Sequence, residues 1–360
     1  MVNKQLNILE FYKNKRVLIT GHTGFKGSWL AIWLEQLGAQ VIGFAQNPYS
    51  EKDNFVLSKI GEKIIDLRGD ICDIHQIKAV FEKYQPEIVF HLAAQSLVRQ
   101  SYKYAVETYQ TNVMGGVNLM EAFRLCPAAK VAVMITSDKC YENKEQITPY
   151  KEDDAMGGYD PYSSSKGAAE IAISSWRRSF MNPKDYITHG KSIASARAGN
   201  VIGGGDWAKD RIIPDCIRAI ETNVPIEIRN PKAIRPWQHV LEPLSGYLIL
   251  AQKMWEYPVS FCEGWNFGPL SNSIANVWEI ATQVINNYGE GKLKKPSLMD
   301  SPHEAQLLTL DIQKAQERLE WYPRLTLKET IEFTVDWYKK YKTVNVYDLC
   351  VNQIFKYITI

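Results

Sequence analysis

Apolar and polar residues follow one another along this chain in blocks of two kinds. From Arg16 the run RVLIT is short, apolar and β-branched, and it leads through Gly-His-Thr-Gly-Phe-Lys-Gly into SWLAIWLEQLG, whose apolar positions recur at helical spacing. This predicts strand, glycine turn, helix. The apolar runs AQVIGFA, KIIDL, PEIVFHLA and KVAVMITS are separated by longer amphipathic or polar stretches. That rhythm implies a parallel sheet covered on both faces, and right-handed crossovers make it doubly wound. The expected fold class is α/β, a Rossmann-type doubly wound parallel sheet with a smaller mixed α/β lobe.

Two helices should be long, about Ala105 to Leu125 and about Pro161 to Phe180, and the strand SIASARAG follows the second. Beyond Gly203 the rhythm loosens into GGGDW, strand-like pieces such as PIEIRN, and helices at LEPLSGYLILAQKMW and NVWEIATQVINNYG. The expected division is residues 1–200 mainly as a nucleotide-binding domain, 201–345 mainly as a substrate lobe over the sheet's carboxyl edge with segments returning to the first domain, and 346–360 as a C-terminal tail.

Composition narrows the class. A chain of 360 residues that is 45% hydrophobic can bury a large core, and a formal charge of +2 gives no electrostatic footprint for nucleic acid. Cys72, Cys126, Cys140, Cys216, Cys262 and Cys350 are scattered without a CxxC pair, which fits neither a zinc ribbon nor a disulfide framework and suits reduced thiols. The opening MVNKQLNILEFYKNK lacks the apolar stretch of a signal peptide, and no segment has the apolar length of a membrane helix. A soluble cytoplasmic protein with no nucleic-acid, membrane or metal partner is expected.

Candidate chemistry gathers at two places. In Gly21-His22-Thr23-Gly24-Phe25-Lys26-Gly27 the glycines follow a strand and open a helix, where backbone amides and the helix dipole can hold a pyrophosphate. The second strand ends Gly43-Phe44-Ala45-Gln46-Asn47, without the acid that usually binds a ribose or an arginine for a 2′-phosphate, although Lys26 could serve the latter. Tyr162 and Lys166, four apart, share one helical face, so the lysine's charge is expected to lower the tyrosine pKa and let it take a hydroxyl proton.

The GxxGxxG turn and the YxxxK pair resemble the short-chain dehydrogenase/reductase superfamily. From about Phe11 to about Tyr338 the chain resembles its extended, sugar-nucleotide branch. Ser137, Asp138 and Lys139 stand where 4,6-dehydratases carry a hydroxyl residue, an acid and a third polar residue, which is glutamate in the dTDP-glucose enzymes. Lysine there, with GHTGFKGSWL, HLAAQSLVRQSY, GNVIGGGDW and RPWQHVLEPLSGYL, resembles the CDP-glucose 4,6-dehydratases.

The resemblance implies NAD, held by Gly21, Thr23, Gly24, Phe25, Lys26, Gly27, Gln46, Asp70, Ile71, Leu92, Ala93, Ala94, Asn112, Tyr162 and Lys166. It implies a CDP-glucose substrate met by Gln95, Arg99, Asn200, Arg211, Arg235 and His303, with Trp237 near the nucleotide. It further implies oxidation at C4 by Tyr162 with Ser137, loss of water across C5 and C6 with Asp138 as the acid, and hydride return to C6, a step of deoxysugar and lipopolysaccharide O-antigen synthesis. Lys139 is either the C5 base or a group that only binds a sugar hydroxyl or acts on Asp138. A homodimer or homotetramer is expected through the two long helices, with Val113, Val117, Leu119, Ile171 and Ile173 as surplus apolar positions. A sugar-nucleotide epimerase would share the tyrosine–lysine pair but need no acid like Asp138. A silent nucleotide sensor would need neither.

Overall fold

The computed structural model describes residues 10–270, 273–294 and 308–360. Strands β1 (Arg16–Thr20), β2 (Gln40–Ala45), β3 (Ile65–Arg68), β4 (Ile88–His91), β5 (Val131–Ile135), β6 (Ser192–Ala198) and β7 (Gly264–Phe267) form one sheet, all parallel, in the order β7-β6-β5-β4-β1-β2-β3. The order reverses between β1 and β4. Such a switch point opens a crevice beyond the strands' carboxyl ends, where ligands of doubly wound sheets bind.

Strand residues split between two cores as their period of two requires. Val17 and Ile19 of β1 and Val131, Val133 and Ile135 of β5 face one cluster, while Leu18, Ala132 and Met134 face the other. The second face is covered by α2 (Ile74–Tyr84), α3 (105–125) and α4 (Pro161–Ser179); the first by α1 (Phe25–Gln36), α6 (Leu241–Glu256), α8 (Leu327–Lys340) and α9 (Val346–Thr359). Helix α5 (Ile212–Glu221) and α7 (Val277–Tyr288) pack together beyond the sheet. Capping boxes, Asn276 with Glu279 and Thr326 with Glu329, start α7 and α8.

Three details differ from the sequence reading. PIEIRN forms no strand, because only Ile226 finds a partner, in a single parallel bridge to Leu293. Residues 346–360 are no loose tail: Val346, Leu349, Cys350, Ile354 and Tyr357 recur at helical spacing and bury α9 against α1, where Tyr357 meets Trp33 edge to face. Leu119 and Ile173, expected to be surplus apolar positions, are core residues at 0% and 3% exposure, whereas Ile171 is 62% exposed. All six cysteines are free. Among the described residues no helix is long and apolar enough to cross a membrane, and no group of His, Cys, Asp or Glu could hold a metal ion.

Helix α3 is regular except at Gln110–Met114, which forms a π turn. Leu119, fully buried beyond that turn, tests the packing of α3: Leu119→Ala is expected to cost about 3 kcal/mol, read as a lower denaturant midpoint.

Candidate active site

The glycine turn leaves β1 and starts α1 at the switch point. Gly21 has φ of +76°, and a β-carbon there would lie 2.7 Å from the Ala93 nitrogen; one on Gly27 would lie 2.1 Å from the Gly21 carbonyl oxygen. Both positions therefore require glycine. Gly24 caps α1 without a side-chain hydrogen bond, and the first turn carries no acid, so the helix N-terminus presents its amides and dipole outward. Phe25 closes the turn against Gly203, and Thr23 donates to the Gln46 carbonyl at 3.1 Å. A dinucleotide's diphosphate fits this cradle.

At the far end of the cradle Gln46 donates to Asp70 at 3.1 Å, and Asp70 also accepts the Cys72 amide at 2.9 Å. Ile71 is buried beneath them, beside Gly115. The His22 ring lies under Gly43, which has no room for a side chain, and its Nε2 meets Asp66 at 2.7 Å. Arg68, the cation near this strand end, is bound by Asp66 at 2.9 Å and lies over Phe55. Lys26 points elsewhere. Burial, Arg211 and Lys166 lower its pKa to about 8 while Asp138 and Asp206 oppose them, so it belongs to the catalytic side and not to a 2′-phosphate pocket.

Leu92, Ala93 and Ala94 run half-buried from β4, with the Leu92 amide on the Thr20 carbonyl at 3.0 Å. Asn112, inside the π turn, is committed to structure: its amide donates to the Gln95 carbonyl at 3.0 Å and to Ser165 at 2.8 Å, and its oxygen accepts the Gln95 amide at 2.8 Å. It thus ties the loop after β4 to the helix carrying Tyr162. Gln95, expected to touch substrate, spends its side chain on Thr108 and on both backbone groups of Leu97. It shapes the loop instead.

Helix α4 is capped by Asp160, and Tyr162 and Lys166 face inward from its first turns, 8% and 5% exposed. The lysine nitrogen lies 5.9 Å from the tyrosine ring centre. Lys166 does not make Tyr162 acidic in the protein alone. Burial, with Asp138 and Asp160 nearby, raises the phenol to about 12, against a hydrogen bond with Ser137 and the charge of Arg211. Burial also brings Lys166 down to about 8.

Ser137 stands between the two acids, hydrogen-bonded with Tyr162 and donating to Asp138 Oδ1 at 2.9 Å. Asp138 is 5% exposed, and burial raises its pKa despite Lys139, Ser137 and Lys26. Lys139 therefore does not force Asp138 to ionise. Gly199 leaves room for that carboxyl, since a β-carbon there would lie 2.6 Å from Asp138 Oδ2. Lys139 itself is half-buried.

Around this centre three arginines are held by acids. Arg211, the N-cap residue of α5, pairs with Asp206 at 2.8 Å and reaches Ser96 at 3.2 Å. Arg99 faces Asp210 at 3.6 Å, and Arg229 pairs with the same carboxylate. Asn200 follows β6 and accepts the Gln238 amide, and Arg235 is half-buried on the short strand Ile234–Pro236. Trp237 is not a nucleotide platform: it is 6% exposed, lies in the core, and donates its indole N–H to the Ala275 carbonyl at 3.1 Å. His303 lies outside the described residues.

The sequence reading missed the acids that hold these arginines, and it missed Glu170 and Arg197, a buried pair at 2.8 Å behind Lys166. A signal was present. Glu170 continues the inward face of Tyr162 and Lys166 at the same spacing of four, and Arg197 is the one charge in the strand SIASARA, whose burial requires a partner for it.

A doubly wound parallel sheet, a glycine cradle at its switch point and a buried tyrosine–lysine pair facing that cradle define an enzyme of the short-chain dehydrogenase/reductase class. Residues 18–334 match the family model described as GDP-mannose 4,6 dehydratase, and the chain is 49% identical over 329 residues to the CDP-glucose 4,6-dehydratase of Salmonella typhimurium, covering 91% of this chain and 92% of that one. The chain belongs to this family of sugar-nucleotide 4,6-dehydratases. Its fold matches the dTDP-glucose 4,6-dehydratase of Bacillus anthracis solved with NAD, at a TM-score of 0.75 and 21% identity over 91% of this chain and 97% of that one. It also matches MoeE5 solved with UDP-glucuronic acid and NAD, at 0.74 and 25% identity over 89% and 98%.

Asp138 gives a test with a definite sign. A carboxyl whose pKa is raised on folding makes the folded state progressively less stable as pH climbs from its ordinary value toward the raised one, because over that range the unfolded chain ionises while the buried group does not. Asp138→Asn should therefore be more stable than the parent at pH 8, with the difference shrinking as pH falls toward 4 in thermal unfolding, while dehydratase turnover is lost.

Proposed function

We propose that this protein converts CDP-D-glucose to CDP-4-keto-6-deoxy-D-glucose, with NAD as a cofactor regenerated in each turnover. The observation that carries this reading is Asp138, a buried carboxyl whose raised pKa suits it to hold and donate a proton, set beside Ser137 and the tyrosine–lysine pair. An epimerase has no use for such an acid. The residues present fit NAD: the glycine cradle suits its diphosphate, and Arg68 near the adenosine end is engaged by Asp66. When bound there, NAD would supply the hydride acceptor for oxidation at C4 and the same hydride for its return to C6.

The chain's own groups supply the proton chemistry. Tyr162 takes the proton of the C4 hydroxyl, and Ser137 holds that oxygen in line. Lys166 keeps a positive charge beside the phenol, which favours its anion. The resulting ketone acidifies C5–H; Lys139 removes that proton, and Asp138 donates to the C6 oxygen as water departs. After this step Tyr162 has gained one proton and Asp138 has lost one. Ser137 touches both, so the balance can be restored through its hydroxyl. Lys139 then reprotonates C5. Arg211, with Arg99, Arg235 and Asn200, receives the substrate's diphosphate, a planar guanidinium being suited to pairs of phosphate oxygens.

CDP-glucose carrying deuterium at C4 should give product labelled at C6, and in heavy water C5 should gain one deuterium. Label found in solvent or in free NADH would sink the dehydratase reading. In the same assay Lys139→Ala should still oxidise C4 and accumulate bound NADH while exchange at C5 collapses; exchange at the parent rate would remove Lys139 as the base.

The protein assembles at least as a homodimer through α3 and α4. The support is the exposed apolar residues on and just before these helices, with Val106 68%, Ile171 62%, Tyr104 53% and Met114 51% exposed. Sedimentation at micromolar concentration should show a dimer or tetramer for the parent and a monomer for Val106→Asp/Ile171→Asp. A monomeric parent contradicts this interface.

A further inference from the structure

One turn beyond Lys166, helix α4 carries a buried glutamate. Glu170 is 4% exposed and both its oxygens are occupied: Thr136 donates to Oε1 at 2.5 Å, and Ser195 and Arg197 donate to Oε2 at 2.7 and 2.8 Å. Arg197, also 4% exposed, donates in turn to the Tyr141 hydroxyl at 2.6 Å and to the Glu152 carbonyl at 2.9 Å. Tyr141 donates onward to Asn266 of β7 at 2.8 Å. One carboxylate therefore links the end of β5, the middle of α4 and β6, and through Arg197 it reaches the segment after Asp138 and the sheet's edge.

The placement bears on the reaction. Thr136 immediately precedes Ser137 and Asp138, and Glu170 lies four and eight residues beyond Lys166 and Tyr162 on the same face of α4. We propose that Glu170, with Arg197 as its counter-charge, is a positioning residue of this active site: it locks α4 to the end of β5 so that Tyr162 and Lys166 meet Ser137 and Asp138, and its carboxylate sustains the charge of Lys166.

The groups acting on Lys166 support the second part. Cys140 and Glu170 raise its pKa against burial; on its other sides lie Lys26 from the glycine turn, Tyr162 from its own helix, and His91 from β4, which burial keeps neutral with a pKa of about 3. The Cys140 thiol is held neutral by burial. Glu170 stays ionised even so: burial raises its pKa, but Arg197 and the hydroxyls of Thr136 and Ser195 outweigh that and lower it. Lys166 loses its charge as pH rises through about 8. Removing the Glu170 charge must move that loss to lower pH, and with it the alkaline limb of activity.

The test compares the full-length enzyme with Glu170→Gln and Thr136→Val, and its activity arm rests on the dehydratase reading above. Thr136→Val keeps the ion pair but frees the end of β5. It should lower kcat roughly ten- to a hundredfold, with KM and the pH profile unmoved. Glu170→Gln should shift the alkaline limb down by about one pH unit. Lysine ¹⁵N NMR, assigned with Lys166→Met, should show the same shift in the Lys166 titration without any substrate. Parent kcat in Thr136→Val together with an unmoved Lys166 titration in Glu170→Gln overturns the proposal, as does a loss of thermal stability with both readouts unchanged. Should Glu170→Gln not fold, parent kcat in Thr136→Val alone overturns it. If the parent itself fails to turn over CDP-glucose, the dehydratase reading falls, and the Lys166 titration still decides the role of Glu170.

Discussion

The cost of ionising a group away from water governs this molecule's chemistry. Asp138 and Glu170 are both buried carboxyls of the same region, yet their proton affinities move in opposite directions. Glu170 is given a guanidinium and two hydroxyls, which more than offset its desolvation. Asp138 is given the charges of Lys139 and Lys26, one serine hydroxyl and the Lys139 backbone amide, which do not. Two acids of one chemical kind thereby become a permanent anion and a proton carrier. The same cost acts on Tyr162 and Lys166, which burial drives toward their neutral forms.

Much of the architecture could be read from local periodicity. RVLIT, the glycine turn and the helix after it stand next to one another in sequence and in space, and Tyr162 and Lys166 share a helical face by spacing alone. What escaped depends on contacts between distant segments. The proton affinity of Tyr162 reflects how deeply the fold buries it, which no spacing of four conveys. Gln95 and Asn112 look like ligand residues until each is found bonded to the other's segment. Trp237 faces the core because Ala275, 38 residues away, takes its indole N–H. That Lys26 turns toward Asp138, and not toward a 2′-phosphate it could have served, is a property of the folded turn that spacing does not convey.

Placement and charge are also kept separate. The end of β5 and the first turns of α4 bring the reacting side chains together, while nearby acids hold Arg211, Arg99 and Arg229 in ion pairs. Asp206 grips Arg211, and Asp210 is shared by Arg99 and Arg229. A diphosphate arriving there meets cations that already have fixed directions, which reduces the ordering that binding would otherwise require. The carboxylates that hold them must then tolerate a second anion nearby, so the arrangement trades some attraction for geometry.

The π turn at Gln110–Met114 illustrates how narrowly such geometry is drawn. It contains one residue more than an ordinary helical turn, and deleting that residue would leave a helix of entirely regular hydrogen bonding. Each residue of an α-helix turns the chain by about 100°, so the deletion would swing either Asn112 or the core face around Leu119 away from its partners. The longer, locally less regular helix is the one that keeps both in register. Changes of length in this segment are therefore closed to the protein as a route of gradual variation, even though each resulting helix would be sound as a helix.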